Sequence, residues 1–278
     1  MPQTFCYGVD KLTIEKTALL ASGNQKGILD ESAEKKISSS FQHVQQIVAS
    51  NKTVYGINTG FGILANTKIS EQDTAILQHK ILQSHSVGVG DPVPVDIAKM
   101  MLITKVHALA QGYSGVRLDT IERILWHIEN DVIPVVPEKG SVGASGDLAP
   151  LAHLFLPLIG LGEVVHEGAR YKAQEVLNKF SLSPINLGPK EGLALINGTQ
   201  FILAYAVKAA QRMHNCLEAA DIIGAMSLEA LTGTKAPFDE RLHELRPFAG
   251  NKFVAQRLPP RQPEQALALE LSPQRLRR

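Results

Sequence analysis

Apolar residues recur along this chain mostly at helical spacing. Leu77, Ile81 and His85 fall four apart behind Ser70 and Asp73, a capping-box variant, and predict a helix there. A second helix is expected from Pro94 to a stop at Gly112, because proline suits a first turn and glycine a C-terminus. Leu118, Ile121, Leu125 and Ile128 line one face of a third. Val132 to Pro137 reads as extended, since proline biases the residue before it away from helix. A glycine-rich turn, Gly140 to Gly146, then leads through Asp147 into a buried apolar segment. Asp147 is expected to cap that segment, with Pro150 tolerated near its first turn. Val164-Val165 and Arg170-Tyr171, separated by His166-Glu167-Gly168, predict a small hairpin. From Thr199 to about Thr232 the pattern is one long apolar helix closed by Gly233. Its apolar residues, among them Ile202, Leu203, Val207, Ile222 and Met226, lie on several sides, so it needs partners all round.

Composition narrows the function classes. The chain has 278 residues, 44% of them hydrophobic, which is enough for a sizeable core. Its formal net charge of +1 argues against nucleic-acid and membrane-surface partners, which need basic patches. Cys6 and Cys216 form no C-x-x-C pair and support neither a disulfide framework nor a zinc site. The opening residues carry no signal-peptide pattern, and Pro150, His153 and Pro157 interrupt the apolar stretch from Leu148 to Leu161. Lys208, Arg212, Glu218 and Asp221 mark the long helix as a bundle helix. A soluble cytoplasmic protein is the expectation. After Leu258 the composition turns to Pro259-Pro260-Arg261-Gln262-Pro263 and ends in Arg277-Arg278, which reads as a solvated tail.

The glycine-rich turn carries the candidate chemistry. Gly143-Ala144-Ser145-Gly146-Asp147 fails as a nucleophile elbow, because Asp147 stands where G-x-S-x-G needs its second glycine. It fails as a phosphate loop, which needs Lys and then Ser or Thr after its last glycine. Backbone self-condensation fits better. If a tight turn presses the Gly146 nitrogen onto the Ala144 carbonyl carbon, a five-membered ring closes. One water leaves from that carbonyl and a second from the Ser145 side chain, giving an electrophilic methylidene-imidazolone. Gly146 has no side chain to block the attack, Ala144 is small, and Ser145 has a hydroxyl to lose. On the tripeptide alone, however, a plain helix-capping turn is the stronger reading, because Ala-Ser-Gly is common.

The wider context decides between them. Gly140-Ser141-Val142-Gly143-Ala144-Ser145-Gly146-Asp147-Leu148-Ala149-Pro150-Leu151-Ala152-His153 resembles, almost residue for residue, the signature of the histidine and phenylalanine ammonia-lyase family. Tyr55-Gly56-Ile57-Asn58-Thr59-Gly60-Phe61-Gly62 is similar to the family's tyrosine loop, and Asn197-Gly198-Thr199-Gln200 to its asparagine block. The three blocks stand in the family order, and the resemblance covers about residues 3 to 258. It implies a mainly α fold: an elongated helical bundle of the ammonia-lyase type, with a small mixed N-terminal region and a short β-hairpin.

The resemblance also implies roles. Ala144, Ser145 and Gly146 become the prosthetic ring, a 4-methylidene-imidazol-5-one formed autocatalytically, with no diffusible cofactor and no metal. Tyr55 is the base for the substrate's β-proton; an ordinary tyrosine titrates near ~10, so the site must favour phenolate or time the transfer. A core tyrosine with a satisfied hydroxyl is the competing view. Asn197 orients the ring or the amino group, or is a turn residue. Gly60 and Gly62 shape a loop over the site, with Gly62 touching substrate. His85, on the face of Leu77 and Ile81, follows Ser84, and Ser-His resembles the histidine-specific members. The implied reaction is L-histidine to trans-urocanate and ammonia. Phenylalanine or tyrosine ammonia-lyase, or an aminomutase, is the alternative in the same chemistry. His107, His127, His153 and His166 read as packing or surface residues.

The family is roughly twice this long, and its second half supplies another tyrosine, an arginine for the substrate carboxylate and a late glutamate. No block here matches these, and the family assembles as a homotetramer whose sites draw on three subunits. The expectation is therefore an N-terminal portion over residues 1–258, with the C-terminal half missing, and a non-family tail over 259–278 left by a truncation, frameshift or gene-model error. Such a chain either retains activity or is a catalytically silent subunit that needs a C-terminal half or a full-length homologue.

Overall fold

The structure, a computed structural model, describes residues 4–50, 53–59, 71–142, 146–234 and 236–257. Gly62, Ala144 and Ser145 lie outside these residues, as do Ser70, Gly60 and the tail from Pro259. The chain divides into two compact units that meet in sequence between Lys208 and Ala209.

The first unit begins with a small mixed layer. Strands β1 (Phe5–Cys6) and β2 (Gly27–Ile28) pair in parallel on either side of α1 (Ile14–Ala21) in sequence. Side chains that can accept from free backbone N–H groups set the helix starts. Thr13 accepts from the Lys16 amide at 3.2 Å, and Asp30 accepts from the Ala33 amide at 2.8 Å to open α2 (Glu31–Ala49). The helix predicted behind Ser70 is α3 (Glu71–His85). Its buried residues include Gln78, Ile81 and Leu82, while His85 is half-buried at its end.

After β3 (Val89–Pro92) comes α4 (Val95–Leu109), with Pro94 as its N-cap; the chain turns at Gly112, as expected. Helix α4 is the axis of the core: Ile97, Met101, Leu102, Ile103 and Val106 are all buried, and α1 and α5 (Leu118–Glu129) pack on it. A helix apolar all round belongs at the centre of a bundle. The extended stretch resolves into two strands that join different sheets. Strand β4 (Ile133–Pro134) pairs with β6 (Glu163–His166), and β5 (Pro137–Lys139) pairs with β3. Strands β6 and β7 (Ala169–Lys172) form the predicted hairpin, which β4 extends to three strands. Between β5 and β6 in sequence lie α6 (Leu148–Phe155) and a 3-10 turn, Leu156–Ile159. A satellite core of Val132, Val164, Ala173 and Val176 sits under the hairpin and α7 (Ala173–Lys179), with Trp126, Phe180 and His166 in edge-on ring contacts. His166 is thus a packing residue, as read from the sequence.

Helix α8 (Glu191–Ile196) follows, then α9 (Gln200–Ala230), which begins in the first unit and continues into the second. Gly233 closes α9 by donating its amide to the Leu228 carbonyl at 2.8 Å. By length and composition alone the stretch Glu191–Ala230 would suffice to cross a bilayer. Two of its charges are engaged with protein groups: Lys208 pairs with Asp96 at 2.7 Å and Asp221 with Arg257 at 2.5 Å. The second unit holds the rest of α9, the 3-10 turn Ala236–Phe238, α10 (Glu240–Leu245) and α11 (Ala249–Arg257).

Candidate functional site

Four segments distant in sequence converge on the short helix α8 and the Asn197–Gly198 turn that follows it. The first is the tyrosine turn. Asn58 accepts the Val54 amide at 2.8 Å and Thr59 accepts the Gly56 amide at 3.3 Å, so the polar residues of the motif hold the turn shut. Gly56 lies so close to Leu193 of α8 that a Cβ there would sit 2.5 Å from its Cδ2. Tyr55 itself is 58% exposed, which removes the core-tyrosine alternative and leaves its ring at a surface.

The second segment is α3. Gly192 abuts the Gln78 carbonyl, where a Cβ would approach to 2.4 Å, and Gln78 Oε1 accepts the Leu193 amide at 3.2 Å. One turn beyond Ile81 stands His85. Its Nδ1 lies 2.9 Å from the Ile81 carbonyl and 3.0 Å from Ser84 Oγ. A carbonyl can only accept, so Nδ1 carries hydrogen and Nε2 is the ring nitrogen left to meet another molecule.

The third segment is the serine loop, whose two ends are pinned. Before it, β5 is tied to β3, with Lys139 opposite Val89. Across its base, Ser141 Oγ donates to Asp147 Oδ1 at 2.8 Å. On the far side, the Asp147 amide donates to the Gly198 carbonyl at 2.7 Å. Gly146 has φ +114°, and a Cβ there would lie 2.3 Å from the Gly198 oxygen, so both backbone shape and space require glycine. Asp147 corrects the sequence expectation. It stands at the N-cap position of α6, yet its side chain caps nothing there. Its fully buried carboxylate instead accepts the Ile202 amide at 3.1 Å, in the first turn of α9. A free N–H of a second helix outcompetes the local cap, and the loop is thereby tied to α9.

The fourth segment is α4, through Lys105. This side chain is only 2% exposed, and its Nζ donates to the Asn197 carbonyl at 2.8 Å. Burial pushes the Lys105 amine down to about 7. Asn197 is the C-cap of α8 and its carboxamide end of the motif is exposed beside Gly198. The other end of α8 is fixed by Glu191, which is fully buried. It accepts from the Thr120 hydroxyl at 2.7 Å, the Gly188 amide at 2.7 Å, and the Arg117 amide and Nε at 3.0 Å each. The Arg117 guanidinium also donates to the Asn186 carbonyl. A buried carboxylate with this many donors is a rigid foundation.

Residues 12–262 match the family Aromatic amino acid lyase. The chain belongs to that family. It is 42% identical over 249 residues to a histidine ammonia-lyase of Streptococcus pyogenes serotype M3, an alignment covering 90% of this chain and 48% of the relative. Among solved structures, a histidine ammonia-lyase from Trypanosoma cruzi superposes with TM-score 0.85 at 37% identity, covering 92% of this chain and 50% of that one. A tyrosine aminomutase from Streptomyces globisporus also reaches TM-score 0.85, at 30% identity and with 93% and 48% covered. The chain thus spans about half the length of the relatives it matches.

In this aromatic amino acid lyase chain, the described candidate residues Tyr55, His85, Gly146 and Asn197 are joined through α8 and its flanking turn. Motif reading missed Lys105 and Glu191. A signal for Lys105 was present: one charge inside the apolar run Met100-Met101-Leu102-Ile103-Thr104-Lys105-Val106. A charge on a helix buried all round must have a partner, and that question leads across the core to Asn197. His107 and His153 accept the Gly8 and Gly88 amides at 3.2 and 3.0 Å, which makes both packing residues.

Proposed function

We propose that this chain carries the electrophile-forming portion of a histidine ammonia-lyase, an enzyme that converts L-histidine to trans-urocanate and ammonia. The observation that supports this reading most is the convergence on α8 of the tyrosine turn, the His85 helix and the pinned serine loop. The residues present fit the self-formed ring: Gly146 occupies a space and a φ that exclude a side chain, with its neighbour's amide held by Gly198. The 4-methylidene-imidazol-5-one made from Ala144-Ser145-Gly146 supplies an electrophile for the substrate's amino group, without a diffusible cofactor.

The chain's own side chains do the rest. Tyr55, exposed on a rigid turn, takes a proton from the substrate's β-carbon at its phenolic oxygen while the bond from the α-carbon to nitrogen breaks. The electron pair of the C–H bond becomes the new double bond, and nitrogen leaves as ammonia. His85 Nε2 accepts a hydrogen bond from the substrate imidazole, a pairing that an apolar side chain leaves unmade; such an unmet polar group discriminates strongly. The Asn197 carboxamide orients the amino group, and the resemblance adds Gly62 as a substrate-binding residue. In the whole protein these groups work within a homotetramer, with a carboxylate-binding group supplied from outside this sequence.

Intact-mass measurement tests the reading directly. The expected result is a deficit of two waters, abolished by Ser145→Ala. Turnover is then assayed with L-histidine, L-phenylalanine and L-tyrosine, using this chain with and without the remaining half of a full-length relative. A folded chain of unaltered mass overturns the proposal, and a preference for phenylalanine or tyrosine overturns the role given to His85. A second reading is a catalytically silent subunit that waits for a partner chain. It draws support from the exposed apolar residues Met213, Leu217, Ile223 and Met226 of α9. Urocanate formation by this chain alone would remove it.

A further inference from the structure

Lys105 is a buried amine that the proposed reaction leaves unused. On the same helix, Lys99 reaches Asp131 at 2.6 Å, an ordinary ion pair at the edge of the core. Lys105 lies deeper, and among the described residues its amine has one hydrogen-bond partner, the Asn197 main-chain oxygen 92 residues away. Packing alone would be served by methionine, which fills the same length without desolvating a polar group. The choice of acceptor is informative. As the C-cap of α8, Asn197 has a carbonyl that no helical amide of its own segment satisfies. The next carbonyl along the chain, that of Gly198, holds the Asp147 amide at 2.7 Å and bounds the space at Gly146. The Asn197–Gly198 peptide is therefore gripped from the core by Lys105, and the next peptide, Gly198–Thr199, holds the Asp147 amide.

We propose that Lys105 is a positioning residue: by anchoring the Asn197 carbonyl it holds Gly198 against Gly146 and Asp147, and thereby speeds cyclisation. The cyclisation part rests on the lyase reading above; the anchoring part stands on the geometry alone. Nothing in the anchoring touches substrate, so Lys105 acts through the turn and not on the reacting molecule.

The test pairs amide exchange with intact mass in the 278-residue chain. In Lys105→Met the Asp147 amide is expected to exchange at least tenfold faster than in the wild type, while the amides of Ile103 and Val106 keep their protection. The mass deficit of two waters is expected to develop at least tenfold more slowly. Lys105→Arg restores a donor and is expected to keep both readouts within twofold of the wild type. Unchanged exchange at Asp147 in the methionine variant overturns the proposal. So does an arginine variant that loses Asp147 protection while Ile103 and Val106 stay protected, which also serves if the methionine variant fails to fold. If the wild type itself never loses two waters, the lyase reading falls, and exchange at Asp147 still judges the anchor.

Discussion

The two units of this chain solve the burial problem in opposite ways. The first surrounds α4 on every side and buries even charged groups, Lys105 and Glu191, with partners for each. In the second, Ala255 is the only buried residue among those described, and Met213, Leu217, Phe248 and Phe253 are exposed. A frame that fixes the positions of distant turns needs close packing and satisfied polar groups. Every described group of the candidate site lies in the first unit, where such packing exists. The second unit offers apolar surface without that enclosure.

The largest effect expected in the packed frame follows from one added methyl group. Gly146→Ala places a Cβ 2.3 Å from the Gly198 oxygen at a φ of +114°. The turn must open, so the two-water deficit should be lost entirely, as intact mass will show. An alanine variant that still sheds both waters would break the link drawn between the pinned turn and the chemistry.

Next in size is the foundation of α8. Glu191→Ala removes a buried carboxylate and strands the Arg117 and Thr120 donors. Breaking a buried pair by deleting one partner costs about 3–5 kcal/mol. Urea unfolding should register a loss of that order. A loss below about 1 kcal/mol would mean that α8 is held by something else.

His127 gives the frame a pH signature. Burial, opposed by its bond to the Val132 carbonyl and reinforced by Arg123, lowers the His127 imidazole to about 4. The folded state therefore favours the neutral ring, whereas the unfolded chain takes up a proton near 6.5. Stability is full above about pH 6.5 and falls as pH drops from there towards 4, by on the order of 3 kcal/mol from this group. His107 and His153 are lowered by burial too and act in the same direction. The difference between wild type and His127→Gln, followed by urea midpoints at pH 7 and 4.5, isolates the single ring. An identical pH dependence in both proteins would refute the assignment.

These contrasts also separate what the sequence made legible from what it hid. Helices α3, α4, α5 and α9 follow from spacing because each has enough apolar residues to define a face. The second helix, α2, buries only Ala33, Ile37 and Val44 along 19 residues, too thin a stripe among serines and glutamines to stand out. The site motifs could be located because their blocks resemble those of the family. The partners that hold them could not. Lys105 meets Asn197 across 92 residues and Glu191 meets Thr120 across 71, and only folding brings such pairs together. Asp147 was misread for the same reason: its local role as a cap loses to an amide 55 residues away.

The smallest effect tests the open unit. Leu217 and Ile223 are each more than half exposed on α9. Replacing both by serine removes little buried area, so the stability of the isolated chain should shift by no more than about 0.5 kcal/mol for each site. Leu102→Ala in the closed unit should by contrast cost about 2–5 kcal/mol, because that side chain is buried in the core. The serine pair should act elsewhere, lowering any self-association seen in sedimentation, since it removes two exposed apolar side chains. If the serine pair destabilises the chain as much as Leu102→Ala does, those side chains are buried in solution. The distinction between a closed frame and an open helical face then fails.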